Sequence, residues 1–217
     1  MTIPAEISFH DTDIEKIAGT KGRVAVIVTP DGKLDNGARR VNRLCKGALK
    51  RLVDSDAWSK MKPGEIKSLA WPAGLDAEAV DVLCLERNAS ALETRKAGVE
   101  LARAVNGEEL LVLAGSVRRP AELAFGLALR GYEFTERKTA EKSARGAIRL
   151  MVGKTDEVSA DYAQLAAVAE GVFMTRDLVS EPANVLTTSE FAKRIEGMAD
   201  MGLKITVLDE AAMQKLG

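Results

Sequence analysis

Arg23-Val-Ala-Val-Ile-Val-Thr29 is a nearly continuous β-branched run, the pattern of a strand covered on both faces. Val80 to Leu85, Glu109 to Ala114 and Ala147 to Val152 repeat that pattern. Glu6 to His10 alternates weakly and suits an edge strand, and Ile66 to Trp71 reads as a strand stopped by Pro72. Between these runs the apolar spacing changes to three and four. Ala38, Val41, Cys45, Leu49 and Leu52 place a single helix on residues 37–53. Ser90 and Glu93 form a Ser-x-x-Glu capping box at the head of a helix reaching Val105. Pro120 opens another that runs to Gly131. Strands and helices alternating in this way predict an α/β domain with a mixed, mostly parallel sheet covered by helices on both faces. The connections are long enough for the crossovers that parallel neighbours require.

Tyr132 to Thr139 is charged and irregular. A long helix is predicted from Ser159 to Val179, with Tyr162, Leu165, Ala169, Val172 and Phe173 at helical spacing. At about 1.5 Å per residue it is long enough to join two domains. Pro182 ends it, because the residue before a proline is pushed away from helical geometry. Thr188 or Ser189 caps the next helix, Glu190 to Met201, which Gly202 closes. Lys204 to Leu208 reads as a strand, and Asp209 as the cap of a helix, Glu210 to Leu216. One helix, one strand and the first turns of another cannot bury both faces of a sheet. The expectation is therefore a fragment that breaks off just inside a second α/β domain. The boundaries expected are 1–155 for the first domain, 156–187 for a linker helix and corner, and 188–217 for the truncated start of the second.

Composition narrows the function classes. Hydrophobic residues at 46% and charged residues at 29% are ordinary for a globular protein. A formal net charge of −1 provides no global field that would favour nucleic acid. No apolar run reaches the roughly 18 residues of a membrane helix, and the N-terminus lacks the basic and apolar regions of a secretory signal. Cys45 and Cys84 lie inside apolar periodic segments, which reads as two buried reduced thiols and fits a cytoplasmic protein. The single histidine, His10, excludes every metal site that needs two imidazoles.

Arg39, Arg40, Arg43, Lys46, Lys50 and Arg51 form a basic stripe with no acid between Asn36 and Val53. Such a stripe can contact phosphates, so a non-enzymatic DNA- or nucleotide-binding module is the alternative reading. The balanced charge of the chain, and the absence of interleaved aromatics, favour a solvated face. Val152-Gly153-Lys154-Thr155 has the end of a phosphate-binding loop without its upstream glycine. Gly171-Val-Phe lies in helical periodicity and reads as core. The closest acidic neighbours, such as Asp54 with Asp56 and Asp76 with Glu78, read as caps and solvated faces. The residues by themselves contain no catalytic constellation.

One stretch carries a family resemblance. Arg176-Asp-Leu-Val-Ser-Glu-Pro-Ala-Asn-Val-Leu-Thr187 resembles the Arg-Asp-Leu-x-Asn-x-Pro-x-Asn-x-Leu-Thr segment of the leucyl (cytosol) aminopeptidases, the M17 family of metallopeptidases. Ser180 and Thr188 stand where that family commonly has Asn and Pro. Upstream, Gly126 to Thr139 is similar to the family's Gly-x-x-Leu-x-x-Tyr-x-Phe-x-x-Tyr-Lys-Thr segment, with Arg137 in the aromatic place. The resemblance covers about Phe125 to Gly217. It implies a macro-domain-like N-terminal domain, a long linker helix and a C-terminal peptidase domain. In that last domain two divalent metals, Mn or Zn, held by carboxylates and a lysine, activate water against the N-terminal peptide bond. It also implies peptide substrates, a homohexamer and a cytoplasmic location.

The family's lysine and acidic motifs fall beyond Gly217, so the resemblance places no catalytic or metal-binding residue and no cofactor on this chain. The chain alone is expected to be inactive, with the remainder of the catalytic domain as its partner. Arg176, Asp177, Pro182 and Asn184 are expected to fix the interdomain corner. A macro-domain-like nucleotide pocket, testable with ADP-ribose, is a third reading.

Overall fold

The computed structural model describes residues 2–137, 139 and 145–217, so Lys138 of the Gly126 to Thr139 segment lies outside the described residues. Six strands, numbered in chain order, form one sheet: β1 (Ile7–Asp11), β2 (Arg23–Val28), β3 (Ile66–Ala70), β4 (Ala79–Cys84), β5 (Leu110–Leu113) and β6 (Ile148–Val152). Their spatial order is β1-β6-β5-β2-β4-β3. All neighbours are parallel except β3, which runs antiparallel to β4. The continuous apolar runs take the inner positions, and every residue of β4 and β5 is buried.

Alternation along β2 sends side chains to two separate cores. Val24, Val26 and Val28 pack with Ala38, Val41 and Leu49 from α1 (Asn36–Leu44) and α2 (Ala48–Val53). Trp58 of α3 (Asp56–Ser59) joins that core. Ala25 and Ile27 face the other way, toward Leu101 of α4 (Ala91–Val105), Leu123 and Leu127 of α5 (Pro120–Arg130), and Val158 and Tyr162 of α6 (Thr155–Ser180). The mostly parallel sheet with helices on both faces is as expected.

Some boundaries differ from the reading of the sequence. The single helix over 37–53 is broken between α1 and α2, where Lys46 and Gly47 take left-handed backbone at φ 50° and 81°. The Arg51 guanidinium donates to the Lys46 carbonyl at 2.8 Å and steadies the break. The Ser90–Glu93 capping box forms as expected. The long helix starts at Thr155, a turn earlier than its apolar spacing signals. Lys204 to Leu208, expected as a strand, is not in a ladder, since none of the described strands pairs with it.

Asp81 is fully buried in the middle of β4. The Arg23 guanidinium donates to its two carboxylate oxygens at 2.9 and 2.8 Å, and the Ser68 hydroxyl donates at 2.5 Å. The cluster ties β2, β4 and β3 together where parallel pairing gives way to antiparallel. Hydrogen bonding to Asp81 raises the pKa of Arg23 against the cost of burial. On the same face α4 and α5 meet at Gly98 and Gly126. A Cβ on Gly126 would stand 2.0 Å from the Arg95 carbonyl oxygen, and one on Gly98 would stand 2.2 Å from that of Leu123.

The chain divides into two compact units, residues 1–173 and 174–217, and α6 runs from the first into the second. The second unit continues with α7 (Thr188–Glu196), a 3-10 turn (Gly197–Met201), a segment without regular secondary structure and α8 (Glu210–Gln214). None of these three helical elements contains a buried residue.

Two expected outcomes follow from the glycines and the buried acid. Gly126→Ala gains up to about 1 kcal/mol of helix propensity but overpacks backbone against backbone, costing about 1–3 kcal/mol, so the net change is a loss. Gly171→Ala on α6, where an added Cβ meets nothing within 4 Å, gains about 0.5–1 kcal/mol. Denaturant midpoints moving in the same direction for both variants would contradict the close approach. Asp81→Ala strands the Arg23 charge and is expected to cost about 3–5 kcal/mol in urea unfolding; a loss under about 1 kcal/mol would show that solvent reaches the pair.

Candidate functional site

The corner after α6 is built by the backbone first. The Glu181 N–H still donates to the Asp177 carbonyl at 3.0 Å, in helical fashion. Pro182 cannot continue that pattern, and its own carbonyl accepts from the N–H groups of Val185 and Leu186, both at 2.9 Å. Thr187, rather than Thr188 or Ser189, caps α7 by accepting from the Glu190 N–H.

Arg194 on α7 closes the corner. Its guanidinium donates to Glu190 at 3.0 Å and reaches back to Glu181 at 3.2 Å. The Glu181 side chain is only 5% exposed, so this is a nearly buried acid meeting its counter-charge. The hydrogen bond to Glu190 raises the Arg194 pKa most, burial opposes it, and Glu181 adds to the rise. Of the four residues expected at the corner, Pro182 supplies the turn's acceptor and Asp177 is buried, while Arg176 and Asn184 are exposed. Reading the sequence missed Glu181 and Arg194. The Glu190–Arg194 spacing of i,i+4 was visible, but the bridge from Arg194 to Glu181 exists only once the chain has turned.

The basic stripe is brought together on α1 and α2, and part of its charge is already engaged. Arg40 donates to Glu15 and Lys50 to Asp54, at 2.8 and 2.7 Å. Arg39, Arg43 and Lys46 remain exposed, with no side-chain partner among the described residues. The strongly shifted groups elsewhere do not mark an active site. Burial pushes the Cys84 thiol up to about 11 and the Tyr162 phenol up to about 12, which makes both poor nucleophiles.

The donor set for a metal can be tested directly. Among the described residues no three His, Cys, Asp or Glu side chains converge as metal ligands do. Lys154, the lysine of the Val152-Gly-Lys stretch, is an exposed ammonium ion-paired with Glu157 at 2.8 Å. These residues do not fit a two-metal peptidase centre. At the C-terminal edge of the sheet, residues near the starts of α5 and α6 line an open cavity of about 480 Å³. No helix among the described residues is long and apolar enough to cross a membrane.

With this geometry in hand, comparison with known proteins is informative. No protein-family model matches the chain. Over its whole length the chain is 50% identical to a probable cytosol aminopeptidase of Dinoroseobacter shibae, of which it covers 44%. It is 45% identical to a protein of that name from Cereibacter sphaeroides, again covering 44%. Among solved structures, a mutant of tomato leucine aminopeptidase superposes with a TM-score of 0.76 at 20% identity, covering 100% of this chain and 47% of that one. The bottromycin maturation enzyme BotP, in complex with Mn, gives a TM-score of 0.62 at 23% identity, covering 91% of this chain and 40% of that one. The fold is thus that of the N-terminal domain of leucine aminopeptidases. Along its whole length the chain is similar to curated proteins named probable cytosol aminopeptidase, and it spans about 44% of their length.

If Arg194 holds the corner, Arg194→Ala should speed hydrogen exchange at the Val185 and Leu186 amides by about tenfold or more. The sheet amides of the first unit provide the internal reference. Unchanged exchange at those two amides would remove the bridge from the account.

Proposed function

We propose that this chain is the non-catalytic N-terminal part of a metal-dependent leucyl aminopeptidase. The whole enzyme would remove N-terminal amino acids from peptides by two-metal hydrolysis. Residues 188–217 would form the first elements of its peptidase domain, following a linker helix and corner over 156–187 and an N-terminal domain over 1–155. The observation that carries this reading is homology along the entire chain to proteins more than twice as long; among the described residues no converging set of metal ligands accompanies it.

The second unit supports the same reading. Of the twelve large hydrophobic side chains exposed among the described residues, eight lie between Val179 and Leu216. Patches of this kind mark surfaces that another structure covers. Lys204 to Leu208 alternates like a strand, lies between Gly202 and the Asp209 cap, and has no ladder partner among the described residues. Its backbone groups are a template for a sheet supplied by the remainder of the peptidase domain. The metals, Mn or Zn, would be held by that remainder, as would the contacts of a homohexamer. A cytoplasmic location agrees with the relatives' names and with two reduced, buried cysteines.

The test is hydrolysis of leucine p-nitroanilide by the purified 217-residue chain in the presence of Mn²⁺ or Zn²⁺. No turnover above a metal-only blank is the expected result. Chelator-sensitive turnover that co-purifies with the chain through two different columns would overturn the reading.

A further inference from the structure

The cavity between the first turns of α5 and α6 has a composition that the aminopeptidase reading does not use. Ala114, Val117 and Val158 are buried along it, with Leu165 half-buried beside them. Much of the polar lining is already satisfied. Lys154 holds Glu157 at 2.8 Å, Glu122 accepts from Arg95 at 2.8 Å, and Arg119 donates to the Ala89 carbonyl at 2.9 Å. Three side chains are left over: Arg118, Asp161 and Gln164 have no side-chain partner among the described residues. Arg118 comes from the β5–α5 connection, whereas Asp161 and Gln164 come from α6.

One cation, one carboxylate and one amide, all three exposed, therefore line an open cavity whose walls are partly polar and partly apolar. Its size, about 480 Å³, falls in the range of roughly 300–1,000 Å³ usual for small-molecule sites. A simple anion would meet Asp161 as well as Arg118, and a simple cation the reverse, so either is opposed by one of the two. A molecule with both charges is matched by both. We infer that this cavity binds a free α-amino acid with an apolar side chain. The Arg118 guanidinium forks onto its carboxylate, Asp161 accepts from its ammonium group, and its side chain lies against Val117, Val158 and Leu165. The inference does not depend on the reading of the whole enzyme, although a free amino acid is what an aminopeptidase releases.

The experiment is an NMR titration of the ¹⁵N-labelled 217-residue chain with L-leucine, following the amides of Gly115, Gly153 and Val158. Saturable shifts at these positions are expected. N-acetyl-L-leucine, without the ammonium charge, and L-leucinamide, without the carboxylate, should each bind about tenfold more weakly, the size of one lost charge-assisted hydrogen bond. Arg118→Ala should weaken L-leucine but not L-leucinamide further, and Asp161→Asn should weaken L-leucine but not N-acetyl-L-leucine. General damage to the fold would not produce that crossed pattern. Absence of saturable shifts with L-leucine overturns the inference. So does equal binding of the three ligands, or tighter binding by N-acetyl-L-leucine or inorganic phosphate. Hydrolysis plays no part in the readout, so this result and that of the aminopeptidase assay are independent.

Discussion

The approach of α4 to α5 at Gly98 and Gly126 sets much of what lies on that face of the sheet. The two α-carbons sit where side chains would normally stand, and an added Cβ on either would meet carbonyl oxygen, which cannot move aside cheaply. With the helices this close, Arg95 spans the pair to reach Glu122 and lies 4.7 Å above the Phe125 ring. Phe125 and Ala128 then pack against Ala169 of α6. Residues near the starts of α5 and α6 both line the cavity at the C-terminal edge of the sheet.

Charge is used sparingly inside the first unit. The Arg23–Asp81–Ser68 cluster is the place where a fully buried acid meets a strand otherwise made of apolar residues. A buried pair seldom adds net stability over an apolar replacement, but breaking it is costly. Its position at the change from parallel to antiparallel pairing makes it a registration device for β2, β4 and β3. Surface pairs such as Lys50–Asp54 are worth far less, about 0–1 kcal/mol each. The second unit has the opposite economy, with its apolar side chains outside and Glu181 drawn inward against Arg194.

The two units therefore carry function in different ways. The first has a complete core on both faces of its sheet and a cavity with its own free charges. The second has a well-built corner and two capped helices but no interior among its helical elements. The likeness to cytosol aminopeptidases rests on both, since the match runs the full length of the chain. Among the described residues no three His, Cys, Asp or Glu side chains converge as a set of metal ligands, and Glu157 is the ion-pair partner of Lys154.

Local rules determined much of this protein from its sequence. Continuous β-branched runs marked the inner strands, because a strand covered on both faces has no polar side to show. The Ser90–Glu93 box and the Asp209 cap were legible because capping involves neighbours within one turn. The Arg176 to Thr187 stretch carried the family resemblance. Tertiary structure decided the rest. Gly47 ended a helix whose apolar spacing ran on, because left-handed backbone is open to glycine without cost. Lys204 to Leu208 alternated as a strand does, yet a strand exists only with a neighbour to pair its backbone. The basic stripe was visible, but not that Glu15 would reach Arg40 from another part of the chain. Neither the Arg194–Glu181 bridge nor the meeting of Arg118 with Asp161 around one cavity had a local signature. Both depend on distances that only a folded backbone sets, and spacing along the chain does not encode them.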